Sequence, residues 1–233
     1  MKKSVGIIGG MGPMATVDLF RKIVAYTDAS ADSGHIRVYA DSNTDIPDRT
    51  AAILSGGASP LDELIQSAMK LEAMGADFLA MACNTAHCFY ADILPFIHVP
   101  FLHMPEETAS ALQRRGVQTV GLLATNGTLQ TKLYDRILSE KGISVVYPSA
   151  EGQAQIMSLI YDGVKASNTT FPAGGVQKEL DDMRRRGAEQ FVLGCTELPL
   201  AFEMYGLTAP YIDPTAALAK SIVRFAGCKV KEI

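Results

Sequence analysis

The segment "GADFLAMAC" ends at Cys83, and a close counterpart, "GAEQFVLGC", ends at Cys195. This repeat constrains the fold more than any other feature of the chain. Gly75 and Gly187 each stand eight positions before their cysteine. Upstream, "VGIIG" begins at Val5, 78 residues before Cys83, and "VGLLA" begins at Val120, 75 residues before Cys195. Downstream, each cysteine is followed by a proline, an aromatic and an aliphatic residue, in "VPFLHMP" from Val99 and "APYIDP" from Ala209. Agreement at several anchors identifies a duplicated unit, and each copy, at roughly a hundred residues, has the size of a small domain.

The pattern inside each unit is alternation. "SVGIIGG" is a short continuous apolar run, "MATVDLFRKIVAYT" has helical periodicity, "IRVYAD" reads as a strand, and "LDELIQSAMKLEAMG" as a helix closed by Gly75. Continuous apolar strands separated by amphipathic helices predict βαβ units, hence parallel sheets covered on both faces. The expected fold is α/β, with two similar Rossmann-like domains related by a pseudo-two-fold axis. Residues 1–99 with 210–233 are expected to form the first domain and 100–209 the second. Tandem domains of this kind face each other across a cleft, with the carboxyl ends of their strands on its walls.

Both cysteines fall at such a strand end, in "AMACNTAHCFYADIL" and "VLGCTELPLAF". A thiol ahead of a helix feels the helix's positive end, which favours thiolate. Asn84 or Thr85, and Thr196, are suited to cap those helices, or to bind a carboxylate through the same geometry. Twin thiols on opposing walls fit one task closely. Inverting a stereocentre with an acidic C–H needs a base on one face and an acid on the other. Buried cysteine is common as a small hydrophobe, and that reading stands for Cys88 and Cys228, which have no counterpart in the other half.

Charge and composition narrow the partners. The net charge is −4, which gives no electrostatic case for nucleic acid or an anionic membrane, since a phosphate backbone demands clustered excess Lys and Arg. Glycines and Pro13 interrupt the first apolar stretch where a signal peptide needs continuity, so a cytoplasmic chain is expected. Four cysteines without a secretory signal point to free thiols rather than a disulfide framework. The expected partner is a small molecule, with neither nucleic acid nor membrane.

The residues "GIIGGMGP", "PDRT" at 47–50, "CNTAH" at 83–87, "LLATNGT" at 122–128 and "GCTE" at 194–197 resemble the aspartate/glutamate racemase superfamily, and its aspartate racemase branch in particular. The resemblance spans essentially the whole chain. It implies an isomerase without cofactor or metal, usually a homodimer, in which Cys83 and Cys195 exchange the roles of base and acid on an amino acid. It also implies a basic residue from each half on the substrate carboxylates. Arg49 and Lys165, 34 and 30 residues before their cysteines, occupy those positions. Met11, Thr50, Asn84, Thr85, Ala86, Thr125 and Thr196 complete the implied binding set, with Glu197 and His87 in support. Glu197 stands where glutamate-specific relatives carry His, which favours aspartate. Glutamate or a broader amino-acid range is the alternative, followed by a protein that binds a dicarboxylate without turning it over.

The glycine pattern Gly10-x-Gly12-x-x-Ala15 has the look of a dinucleotide turn. A ribose-binding acid belongs about 20 residues on, however, and Asp41 lies 29 beyond Gly12. The corresponding turn of the second half, Thr125 to Thr128, contains no such motif. Both turns are therefore expected to floor an amino-acid pocket. Cys83, His87 and Cys88 form a C-x3-H-C cluster without the further ligands zinc usually takes, and a thiol oxidoreductase would carry C-x-x-C.

Overall fold

A computed structural model describes residues 2–232 of the chain. The first half contains β1 (Val5–Gly9), α1 (Pro13–Tyr26), β2 (Val38–Ser42), α2 (Arg49–Ser55), α3 (Leu61–Ala73), β3 (Phe78–Met81) and α4 (Tyr90–Ile93). Helix α5 (Met104–Arg114) leads into β4 (Thr119–Leu123), α6 (Asn126–Gln130), α7 (Leu133–Glu140), β5 (Ser144–Val146), α8 (Ala150–Ser158), α9 (Gly174–Arg185), β6 (Gln190–Leu193), α10 (Leu198–Tyr205), β7 (Tyr211–Ile212) and α11 (Pro214–Phe225).

The strands form two parallel sheets, in the orders β2-β1-β3 and β5-β4-β6-β7. The first sheet gains a fourth member in register, because Phe101 bridges Leu79 in parallel. The two proline steps do the same work in each half. The Leu79 N–H donates to the Pro100 carbonyl at 2.8 Å, and the Phe191 N–H donates to the Pro210 carbonyl at 2.9 Å. The repeat seen in the sequence is thus a repeat of strand order. The chain changes sheet just beyond each expected boundary, since Phe101 still pairs in the first sheet and Tyr211–Ile212 in the second. The physical reason is that each proline step serves as the last strand of its own sheet before the chain crosses.

Helices cover both faces of each sheet, which is why β1, β3 and most of β4 and β6 are buried without alternation. In the first half, Leu19 and Ile23 of α1 pack with Leu218, Ile222 and Val223 of α11 on one face, and Leu64, Ala68 and Leu71 of α3 cover the other. In the second, Ile156, Leu180 and Leu198 lie on one face, while Leu112, Tyr134 and Leu138 lie on the other. Full burial of a large aliphatic side chain contributes about 1.5–3 kcal/mol, so these clusters dominate the fold's stability. Helix α5 belongs to both halves, with Met104 in the core of the first and Leu112 in that of the second. No helix among the described residues is long and apolar enough to cross a membrane.

Candidate active site

The carboxyl ends of β1 and β3 and those of β4 and β6 meet across a narrow cavity. Cys83 and Cys195 both line it, each two residues beyond its strand, and each is buried. Around them stand Met11, Arg49, Thr50, Asn84, Thr85, Thr125, Lys165, Thr196 and Glu197. The cavity therefore gathers all but two of the residues expected from the sequence. The two exceptions follow from packing. Ala86 is fully buried in the core beneath the first sheet with Ile8 and Met81, and His87 points away from the cavity into a buried polar position.

The glycine turn brings the backbone of the first half close to the second. Gly10 has φ +88°, and a Cβ there would lie 2.2 Å from the Asn43 carbonyl oxygen. Its N–H donates to the Thr16 hydroxyl at 2.8 Å, so that donor is consumed internally rather than offered to a phosphate. A Cβ on Gly12 would stand 3.7 Å from a Glu197 carboxylate oxygen, across the cleft. The turn stands close to the opposite wall.

Arg49 is the first residue of α2 and is buried at 8% exposure. Its guanidinium donates to the carbonyls of Ile46 (3.2 Å), Pro47 (2.9 Å) and Met11 (3.3 Å). Among the described residues no carboxylate pairs with it, and its buried Nε has no hydrogen-bond partner. A buried cation without a counter-charge is costly, and an anion in the cavity would supply one. Asn84 shows the same incompleteness. Its Oδ1 accepts from the Tyr134 hydroxyl at 2.6 Å, while its buried Nδ2 has no partner among the described residues.

From the second half, a π-helical turn over Leu159–Lys165 carries Tyr161 and Lys165 to the cavity. The Lys165 ammonium lies 4.4 Å over the Tyr161 ring. Burial opposes its charge, but Glu197 foremost, then Cys195, Tyr161 and Cys83, hold its pKa above the ordinary lysine value. The Tyr161 hydroxyl reaches Asp48 of the first half at 3.4 Å. Tyr161 and Asp48 line the cavity without having been singled out from the sequence. Asp48 directly precedes Arg49 and caps α2 at Ala51 N (2.8 Å), a signal the sequence did contain. Nothing in the sequence marks Tyr161, because its placement depends on the widened turn.

The two thiols have unlike neighbours. The Cys195 thiol donates to Glu197 Oε2 at 2.9 Å, and the Thr196 hydroxyl donates to the same oxygen at 3.2 Å. Burial first, then the Glu197 carboxylate, push the Cys195 pKa well above the usual thiol value. On the first wall, Thr85 shares a triangle of hydroxyl contacts with Thr125 (3.0 Å) and Thr128 (2.9 Å) of the second half. His87 ties the wall to α5, with Nδ1 on the Cys83 carbonyl at 2.7 Å and Nε2 accepting the Met104 N–H at 3.1 Å. Burial, then His103, hold its pKa down to about 3, so His87 is neutral and Nδ1 is the donor.

The expected helix caps are corrected. The chain after Cys83 forms a 3-10 turn over Thr85–Phe89, and Glu197 precedes α10; neither junction has a side-chain cap. Asn84 and Thr196 are held instead by Tyr134 and Glu197. Cys88 donates to the Thr85 carbonyl at 3.0 Å, and burial pushes its thiol up to about 12. Cys228 packs beside the core of the first half.

Residues 8–222 match the family described as Asp/Glu/Hydantoin racemase. The broad specificity amino-acid racemase RacX of Bacillus subtilis is 29% identical over 231 residues, covering 94% of this chain and 96% of that protein. The aspartate racemase of Picrophilus torridus superposes with a TM-score of 0.87 at 34% identity, over 98% of this chain and 96% of the other. An aspartate racemase homologue from Pyrococcus horikoshii does so with a TM-score of 0.77 at 26% identity, over 97% and 99%. Two parallel α/β sheets of matching order, a cysteine at the end of a central strand in each, and this match over nearly its whole length make the chain a member of the Asp/Glu/hydantoin racemase family.

Proposed function

We propose that this racemase interconverts L- and D-aspartate, with Cys83 and Cys195 as its acid–base pair. The observation that carries the reading is the set of unsatisfied donors in the cavity. Arg49 Nε and Asn84 Nδ2 are buried without partners among the described residues, and Lys165 supplies a second cation on the other wall. Two cations and a free amide fit a substrate with two carboxylates.

In this mechanism the Cys83 thiolate removes the Cα proton from one face of the bound amino acid. Electron density moves into the α-carboxylate, where the donors of the cavity stabilise it. The Cys195 thiol then delivers its proton to Cα from the opposite face, and the Cys195 thiolate remains. The other enantiomer runs the same steps in reverse. The Cys195 hydrogen bond to Glu197 supports Cys195 as the thiol that carries the proton in the unliganded enzyme. Each half supplies one sulfur and one cation, which explains why both copies of the duplicated unit are needed.

The test is incubation of reduced protein with L-aspartate in D2O, without added cofactor, reading D-aspartate and deuterium at Cα. Appearance of both, lost in Cys83→Ala and in Cys195→Ala, is the expected result. Absence of both with aspartate, and turnover of glutamate or several other amino acids, would replace the substrate. The B. subtilis relative makes broad specificity the second reading to screen.

A further inference from the structure

We propose that Tyr134 is a positioning residue for substrate binding: it clamps the Asn84 carboxamide so that the amide nitrogen faces the cavity as a donor to a substrate carboxylate. This rests on the reading of the cavity as a carboxylate site. Tyr134 is on α7, in the second half, and is fully buried. Its hydroxyl donates at 2.6 Å to Oδ1 of Asn84, a residue of the first half adjoining Cys83. Burial raises the Tyr134 pKa, so the hydroxyl keeps its proton and remains a donor at any working pH.

The amide of Asn84 has one end held and one end free. A purely structural pair in a core would satisfy both, since an unpaired buried amide donor costs free energy. Here Nδ2 is buried without a partner, and Asn84 lines the cavity. Turning the carboxamide over would present Oδ1 to the anion and repel it. That rotamer would give up the 2.6 Å bond the Tyr134 hydroxyl donates to Oδ1, leaving the hydroxyl an acceptor only, with its own buried proton unpaired. Because the bond joins the halves, the second half orients a donor that the first half supplies.

The experiment measures kcat, KM and Tm for wild type, Tyr134→Phe, Asn84→Ala and the double variant, with whichever amino acid the wild type racemises. Tyr134→Phe keeps the ring's packing. It is expected to raise KM roughly tenfold with kcat changed less than about threefold, the pattern of a lost binding interaction. In the Asn84→Ala background the same change is expected to leave KM unaltered, because the residue it acts through is gone. An unchanged KM in the single variant, or an equal KM penalty in both backgrounds, overturns the proposal. Asn84→Asp tests the orientation independently of the folding of Tyr134→Phe. It places an oxygen where the nitrogen points and is expected to raise KM more than Asn84→Ala does; an equal or smaller effect overturns the proposal. Failure of the wild type to racemise any amino acid refutes the catalytic reading instead, and is separate from these outcomes.

Discussion

Cys83 and Cys195 end equivalent strands in equivalent sheets, yet their surroundings differ at every following position. Two residues on from Cys83 is Thr85, whose hydroxyl is shared with two threonines of the other half; two residues on from Cys195 is Glu197, whose carboxylate accepts a hydrogen bond from the thiol. Four residues on, His87 braces the Cys83 carbonyl against α5, where the second half has Pro199 at N2 of α10. The backbone repeat fixes where each sulfur stands, because strand register and cleft position follow from the fold. What each sulfur meets there is set by side chains that diverged between the copies. In the proposed mechanism a symmetric reaction would be run by an asymmetric pair, with a carboxylate beside the second sulfur.

The largest effect expected from breaking this comparison is loss of the sulfurs themselves. Cys83→Ala and Cys195→Ala should each lower racemisation by about a thousandfold or more, measured by polarimetry or chiral chromatography, since each direction needs both groups. If one variant kept substantial activity, the walls would not be equal partners. Next is Arg49→Lys, which replaces a planar fork held by three carbonyls with a point charge. KM should rise roughly 10- to 100-fold with the fold intact by circular dichroism.

Glu197→Gln sharpens the asymmetry directly. The carboxylate raises the Cys195 pKa, so removing its charge makes the proton easier to lose, and the thiolate should form at lower pH. Thiolate absorbance titrated in a Cys83→Ser background reads this shift, and a midpoint that stays put or rises would contradict the proposed resting state. The smallest effect concerns the first wall. His87→Leu strips partners from the Cys83 carbonyl and the Met104 N–H, which should cost about 1–3 kcal/mol in urea unfolding. Its pH dependence has a definite sign. The folded pKa of about 3 lies below the unfolded value near 6.5, so between them only the unfolded chain takes the proton. Wild-type stability should fall as pH drops below about 6.5, and the variant should lose one proton's share of that slope.

Much of the site was legible because the duplication marked it. A lone "GAEQFVLGC" would read as a strand with a buried thiol; its match to "GADFLAMAC" turned both cysteines into a pair and placed them at facing strand ends. Arg49 and Lys165 rested on resemblance, since an isolated basic residue reads as a surface charge. Tyr161 and Tyr134 were not legible as site residues, Asp48 was legible only as a helix cap, and Ala86 lies outside the cavity lining. Their orientation depends on a widened helical turn, on a contact between halves, and on which side of a 3-10 turn faces the core.

By itself the sequence determined the α/β class, the repeat of strand order and the pair of cysteines, because apolar period, turn glycines and repeated anchors are local properties of the chain. Only the tertiary structure decided which sulfur has a carboxylate beside it, which buried donors stay unpaired, and which residues of one half hold those of the other. The Cys195–Glu197 bond depends on how two near neighbours turn their side chains, and the bonds between halves join residues 40 to 50 positions apart, as between Thr85 and Thr125 or Asn84 and Tyr134, where no local pattern records the partner.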